Sequence, residues 1–423
     1  MKSLPAAKND PSGFMGWLMC LTLLGILNMI FIVKSGLKAP YFVDESNFIK
    51  CAQHFLSQGI YSLPEYPPFN PTSTTAGLPT TFPGGVAAVF GFDMVGIRIV
   101  SFLFSFFMIG IPTFMVVNAK SQSHFSFKSF WGEFLWSLFF LTFFFSYLPY
   151  IEGSYQSLGE VPSAGYLAIG LVMLSDKKNF SRVWGFGFVG VSIWGGKFIN
   201  AAFGFPLLFF YLTFCSPSKK EAIKAGLGFF GFQILWTLFI FLRLGWQGGL
   251  DWLSSYFGMF VQLGSFSLGS FGHTSDPLTQ PTSHSLFVRL HDPHLEWAGN
   301  PLILKIKIVL FLFFPALLFI CKFVKSSGMK PVKTWFADNY ILGALSVGNI
   351  AFAIWYFFLH PYMFIRHVQP ALLVGLGTLC YYLLDLVLTT KSTFTKYLLT
   401  SFMAAGFVGK VVKGIRLNGF IGR

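Results

Sequence analysis

The sequence predicts an all-α polytopic membrane protein, and three observations carry that reading. The chain of 423 residues is 54% hydrophobic and only 11% charged, against about 25% charged in a typical soluble domain. It holds 56 Phe and 11 Trp, more apolar bulk than one soluble core can hide. The apolar residues gather into runs approaching the roughly 20 that cross a bilayer. The net charge of +14 does not point to nucleic acid, because the basic residues are scattered between apolar runs instead of forming one patch. Beside membrane spans, such charges set topology.

The first run, 14–33, is longer than the apolar core of about 7–15 residues in a cleaved signal, and no convincing small-x-small site follows it. It reads as a retained signal anchor. Further spans are expected near 95–117, 131–150, 162–175, 183–196, 199–214, 227–243, 302–321, 340–359 and 370–388. An additional segment, 397–412, reads as interfacial or re-entrant, so the bundle has about 10–11 transmembrane helices. With Lys2 and Lys8 in the cytoplasm, alternate loops carry Lys120 and Lys128, then Lys177, Lys178 and Arg182, then Lys219, Lys220 and Lys224. Lys322, Lys325, Lys330 and Lys333 follow, then Lys391 and Lys396, and ten spans leave the basic tail inside as well. This agrees with the positive-inside tendency.

Two long segments, 34–93 and 243–301, then face outward, while the inner loops are short. The elaborated face is the outer one, and function is expected there. No charge run or Gly/Ser linker marks a separate soluble domain, so 1–423 reads as a single transmembrane domain. The five cysteines show no metal spacing and read as packing residues.

In the first outer segment, YFVDESNFIKCAQHFLSQG, Phe48, Ile49, Ala52, Phe55 and Leu56 fall at helical spacing, with Lys50, Gln53 and His54 elsewhere around the helix. An amphipathic juxtamembrane helix is expected. The stretch from Ser62 to Gly85, SLPEYPPFNPTSTTAGLPTTFPGG, has too many prolines for a regular helix. It is expected to be irregular, either an ordered loop shaping a cavity or an exposed one.

Five places could carry chemistry. Asp44 and Glu45 stand side by side beyond the first span. They serve either as interface charge and helix cap or as a general base with a neighbouring acid raising its pKa. Glu160, in SLGEVPSAGY, precedes a helix start, where the helix dipole alone would justify it. Lys197 interrupts WGGKFINAAFGFPLLFF with almost no polar loop around it, and must snorkel or find an anion. Arg366 and His367, in HPYMFIRHVQPALLV, are either interfacial anchors or a phosphate site suited to a forked donor. The second outer segment, with HDPHLE, matches no defensible metal spacing. No P-loop, dinucleotide fingerprint or G-x-S-x-G elbow occurs.

Taken in order, these pieces resemble the GT-C membrane glycosyltransferases, the superfamily of the protein O-mannosyltransferases and the lipid A aminoarabinose transferases. VDESNFIKCAQHFLSQG followed by a Pro-rich stretch ending in PTTFPGG is similar to that family's first outer loop, whose Asp-Glu pair falls on Asp44 and Glu45. SLGEVPSA resembles a second acidic loop, carrying Glu160; WGGKFINAAFGFP resembles the lysine-bearing turn, on Lys197; FIRHVQPALLV resembles the late Arg-x-x-x-Pro stretch, on Arg366. Two departures stand out: no soluble outer domain follows, and the late stretch reads Arg-His instead of Arg-Tyr.

The resemblance implies a GT-C-like bundle and a polyprenyl-phosphate-sugar donor. It implies a glycan, lipid or protein acceptor, and transfer with inversion at the outer face, the periplasmic side of a bacterial inner membrane. Asp44 would be the base and Glu45 would tune it or hold a sugar hydroxyl. Glu160, Lys197, Arg366 and His367 would bind substrate. Membrane lipids are implied partners and nucleic acid is not. No cofactor is certain, and a divalent cation is left open. Two other classes share the outward face: a flippase or other transporter of lipid-linked glycans, and a glycan polymerase or ligase.

Overall fold

A computed structural model describes residues 43–70, 76–124, 159–175, 181–215, 217–265, 290–291, 299, 301–326, 331–359, 368 and 370–375. The expected anchor at 14–33, the span at 131–150, the late segment at 397–412, and Arg366 and His367 lie outside the described residues, as does most of the span expected at 370–388.

Every regular element among the described residues is helical. In chain order they are α1 (Val43–Gln58), α2 (Leu78–Val89), α3 (Met94–His124), α4 (Glu160–Ser175) and α5 (Arg182–Trp194). After a 3₁₀ turn (Phe198–Asn200) come α6 (Ala201–Phe214), α7 (Lys219–Ser265), α8 (Leu302–Ser326), α9 (Val332–Asp338) and α10 (Tyr340–Ile354), which runs into a π turn (Trp355–Leu359). Four stretches among the described residues are long and apolar enough to cross a membrane: Met94–Pro112, Lys219–Gly258, Leu304–Val324 and Tyr340–Phe358. Glu160–Ser175 and Phe198–Phe214 form shorter apolar helices. Large side chains such as Leu235, Leu242, Phe209 and Ile320 stand exposed along these elements, which water would penalise and hydrocarbon does not. The protein is a multi-pass integral membrane protein.

The helices pack in sequence, α1 on α2, α2 on α3, α3 on α4, α4 on α5 and α5 on α7, while α6 packs on α10 and α10 on α8. The largest core joins Leu167 and Leu174 of α4, Phe186 and Val189 of α5, Phe203 and Leu207 of α6, Phe229 of α7 and Phe352 of α10. A second core, built of Cys51, Tyr61, Phe69, Ile240 and Trp252, holds α1 and the loop after it against α7.

One expectation is corrected. The stretch 62–85 is irregular only in its first part, because its end forms α2. Pro79 sits at the start of α2, where its missing N–H is not needed. Pro83 lies inside the helix and cannot donate to the carbonyl of Pro79. The hydroxyl of Tyr166, on α4, donates to that carbonyl instead, at 3.3 Å. The span expected at 227–243 lies in the first part of α7, which ends at a kink at Gly245 before a second helical part runs on to Ser265. The candidate crossing stretch of α7 is 40 residues long, about 60 Å at 1.5 Å per residue, twice the hydrocarbon thickness. The helix breaks at Gly245, with φ 71° and ψ −179°, a backbone conformation reserved for glycine.

At the end opposite the site, Arg182 ties three helices together. Its Nη1 donates to the Leu174 carbonyl at 2.9 Å and to the Tyr340 hydroxyl at 3.2 Å. Ser181 caps α5 by accepting from the Val183 N–H.

Candidate active site at one end of the helix bundle

The site begins at α1. Asp44 lies in its first turn, where a carboxylate favours the helix dipole; its side chain is outside what the structure describes. Glu45 next to it is completely buried. Arg98 of α3, itself buried, donates from Nε to Glu45 Oε1 at 3.1 Å and from Nη2 to Oε2 at 2.7 Å. This two-pronged, charge-assisted contact bolts the acidic turn of α1 to a membrane span. Both oxygens of Glu45 face the guanidinium, an arrangement that anchors the turn carrying Asp44. Sequence reasoning missed Arg98. The signal was a lone guanidinium in the span at 95–117, since charge inside a span is costly unless paired.

Phe48 stands one turn beyond Asp44. Its ring is buried against Ala76, and the Lys197 ammonium lies 5.0 Å from the ring centroid, within cation–π range. Lys197 is delivered by the turn between α5 and α6. Its N–H donates to the Ser192 carbonyl at 3.0 Å, and Asn200 Nδ2 donates to the same oxygen at 3.1 Å. This turn is held against the Pro-rich loop by the Gly77 N–H, which donates to the Gly196 carbonyl at 2.9 Å. A Cβ at Gly77 would come within 2.3 Å of the Gly195 oxygen, so only glycine permits the approach.

Glu160 opens α4 and meets Lys197: Nζ to Oε1 is 3.2 Å, with side-chain exposures of 12% for the lysine and 3% for the acid. The anion that Lys197 was expected to find is thus one of the protein's own. Glu160 Oε2 and Asn200 Oδ1 are buried with no hydrogen-bond partner among the described residues. Tyr61 ties Ala76 to α2. Its hydroxyl donates to the Ala76 carbonyl at 2.7 Å and shares a hydrogen bond with Thr81 Oγ1 at 2.8 Å. Burial pushes this phenol well above its ordinary pKa, so it is a neutral donor.

The far end of α1 is held by α7. Arg243 Nη2 donates to the Gln58 carbonyl at the end of α1, at 2.5 Å. Beyond the Gly245 break, Trp252 Nε1 donates to the Phe69 carbonyl at 3.0 Å.

The first turn of α1, the loop before α2, the start of α4 and the α5–α6 turn therefore meet at one end of the bundle. Of the predicted residues, Glu45, Glu160 and Lys197 lie there and Asp44 enters through its helix position, while Arg366 and His367 are outside the described residues. Among the described residues no group of three or more His, Cys, Asp or Glu stands together as a metal set. A partly exposed ammonium beside an acidic helix start can hold an anionic leaving group and a polarised hydroxyl at short range.

No family model matches the sequence, and no curated protein matches it. The chain is similar to a solved structure, that of ArnT from Cupriavidus metallidurans in the apo state. Identity is 14%, the TM-score is 0.45, and the alignment covers 94% of this chain and 70% of that one. A likeness of this size assigns no activity and no residue role.

Proposed function

We propose that the protein is a GT-C type membrane glycosyltransferase that moves a sugar from a polyprenyl-phosphate donor to an acceptor hydroxyl at the outer, periplasmic face. The observation that carries this reading is the meeting of α1 with the α5–α6 turn: Lys197 Nζ lies 5.0 Å from the ring of Phe48, one helical turn from Asp44.

The chemistry follows from the residue types. A hydroxyl is a poor nucleophile at neutral pH and needs a base. Asp44 takes its proton as the acceptor oxygen bonds to the anomeric carbon. The bond from that carbon to the phosphate oxygen breaks, and the electron pair leaves with the phosphate. Direct displacement inverts the anomeric centre. The departing lipid phosphate needs positive charge, not an acid, and Lys197 supplies it, joined by Arg366 and His367 from the late segment. Glu45 and Arg98 hold the base in place. The prenyl tail runs between apolar helices into the lipid.

The test is transfer of radiolabelled sugar from polyprenyl-phosphate-linked hexose, pentose and oligosaccharide donors to membrane fractions, using purified protein and its Asp44→Asn variant. Transfer of a single sugar, lowered by about 100-fold or more in the variant, supports the reading. Near-normal turnover removes Asp44 from the mechanism. Transfer only of whole oligosaccharides identifies a polymerase or ligase, and movement of the lipid without transfer identifies a transporter.

A further inference from the structure

We propose that Glu160 is a positioning residue that balances the charge of Lys197, weakening its hold on phosphate so that the lipid phosphate product can leave. The inference rests on the function proposed above and gives Glu160 a role behind the lysine instead of in contact with substrate.

Three observations carry it. First, the order of burial is unequal: Glu160 is 3% exposed and Lys197 12%. An arriving anion meets the ammonium, and the carboxylate stands behind it. Second, the backbone of Glu160 is fixed behind the lysine. Glu160 is the first residue of α4, its carbonyl accepts from the Ser163 hydroxyl at 2.9 Å, and the helix N-terminus favours its negative charge where it is. Third, Glu160 Oε2 has no hydrogen-bond partner among the described residues. A carboxylate built mainly for fold stability would have both oxygens satisfied, as Glu45 does with Arg98. Glu160 is instead buried with Oε1 against Lys197 and, among the described residues, no hydrogen-bond partner for Oε2. Phe48 gives the ammonium a second, uncharged hold that leaves its charge intact.

A cation with no counter-ion would bind a phosphate tightly and release it slowly. That is the wrong property for a group that meets the same phosphate as donor and as product, because binding both equally well does not speed the chemistry. A carboxylate at 3.2 Å lowers the local positive potential and makes the hold reversible.

The experiment measures binding of geranylgeranyl monophosphate to purified full-length protein in detergent, with donor turnover in parallel. The proteins are wild type, Glu160→Gln, Glu160→Asp, Lys197→Met and the Glu160→Gln/Lys197→Met double variant. Glu160→Gln is expected to bind the prenyl phosphate roughly tenfold tighter, with a lower donor KM, a lower kcat and stronger product inhibition. The effect of Glu160→Gln should vanish in the Lys197→Met background, which a merely structural role would not produce. Unchanged or weaker binding by Glu160→Gln overturns the inference. If Glu160→Gln does not purify as a monodisperse protein, Glu160→Asp replaces it. Its shorter side chain draws the charge back, smaller tightening is expected, and affinity at or below wild type overturns the inference. Wild type and Lys197→Met binding the probe equally would instead sink the functional reading, since phosphate would then not be held at Lys197.

Discussion

At the scale of single residues, the molecule turns on two buried ion pairs of different design. Glu45 and Arg98 are both enclosed and doubly hydrogen-bonded. Removing one partner strands a buried charge, at a cost of about 3–5 kcal/mol. Glu45→Gln is therefore expected to lower the thermal midpoint in detergent strongly, and Glu45→Leu with Arg98→Leu to recover much of the loss. A double variant as unstable as the single one would contradict that account. Cys51 gives a second test. Burial and the charge of Glu65 push its thiol up to about 12 from an ordinary 9.0. The folded thiol keeps a proton that the unfolded chain releases, so stability falls as pH rises from 9.0 to about 12. Below that window Cys51 is neutral, and maleimide at pH 8 should label it only after denaturation; ready labelling of the native protein would mean that α1 is not seated as described.

At the scale of elements, proline and glycine do work that local propensity does not reveal. The prolines after Ser62 argue against a helix, yet Leu78–Val89 is one, because the carbonyl freed by Pro83 finds the Tyr166 hydroxyl on another helix. Tyr166→Phe leaves that carbonyl without this donor and is expected to cost roughly 1 kcal/mol, read as a lower unfolding midpoint. Gly77→Ala is a sharper probe. Its Cβ would strike the Gly195 carbonyl at 2.3 Å and push away the turn that carries Lys197. The expected result is a loss of prenyl-phosphate binding larger than the loss of stability, and unaltered binding would separate the two turns functionally. Gly245→Ala should cost about 1–3 kcal/mol for the same reason that the break occurs there.

At the scale of the whole molecule, the helices sort their charges by end. Arg182 joins the end of α4, the start of α5 and the start of α10, while Lys197 and Glu160 meet at the opposite ends of α5 and α4. α7 runs the same way, from Lys219 and Lys220 to Arg243 beside Gln58. With the basic loops inside, Lys219→Cys should react with an impermeant maleimide only in inside-out vesicles. Gln247→Cys should react only in right-side-out ones. The reverse pattern would place the site at the cytosolic face and remove the lipid-linked donor from the argument.

The sequence by itself determined the membrane class, the spans at 95–117, 302–321 and 340–359, and the amphipathic α1. Each of these is a local property that the bilayer selects through hydrophobicity, helical period and charge, without reference to what lies elsewhere in the chain. It also marked Glu45, Glu160 and Lys197 as unusual, because charge beside apolar runs must be compensated. Only the tertiary structure decided what compensates it. Arg98 reaches Glu45 across 53 residues, Glu160 meets Lys197, and Tyr166 frees Pro83 to sit in a helix. Partners of this kind are set by which helix ends pack together, and composition and periodicity carry no record of that.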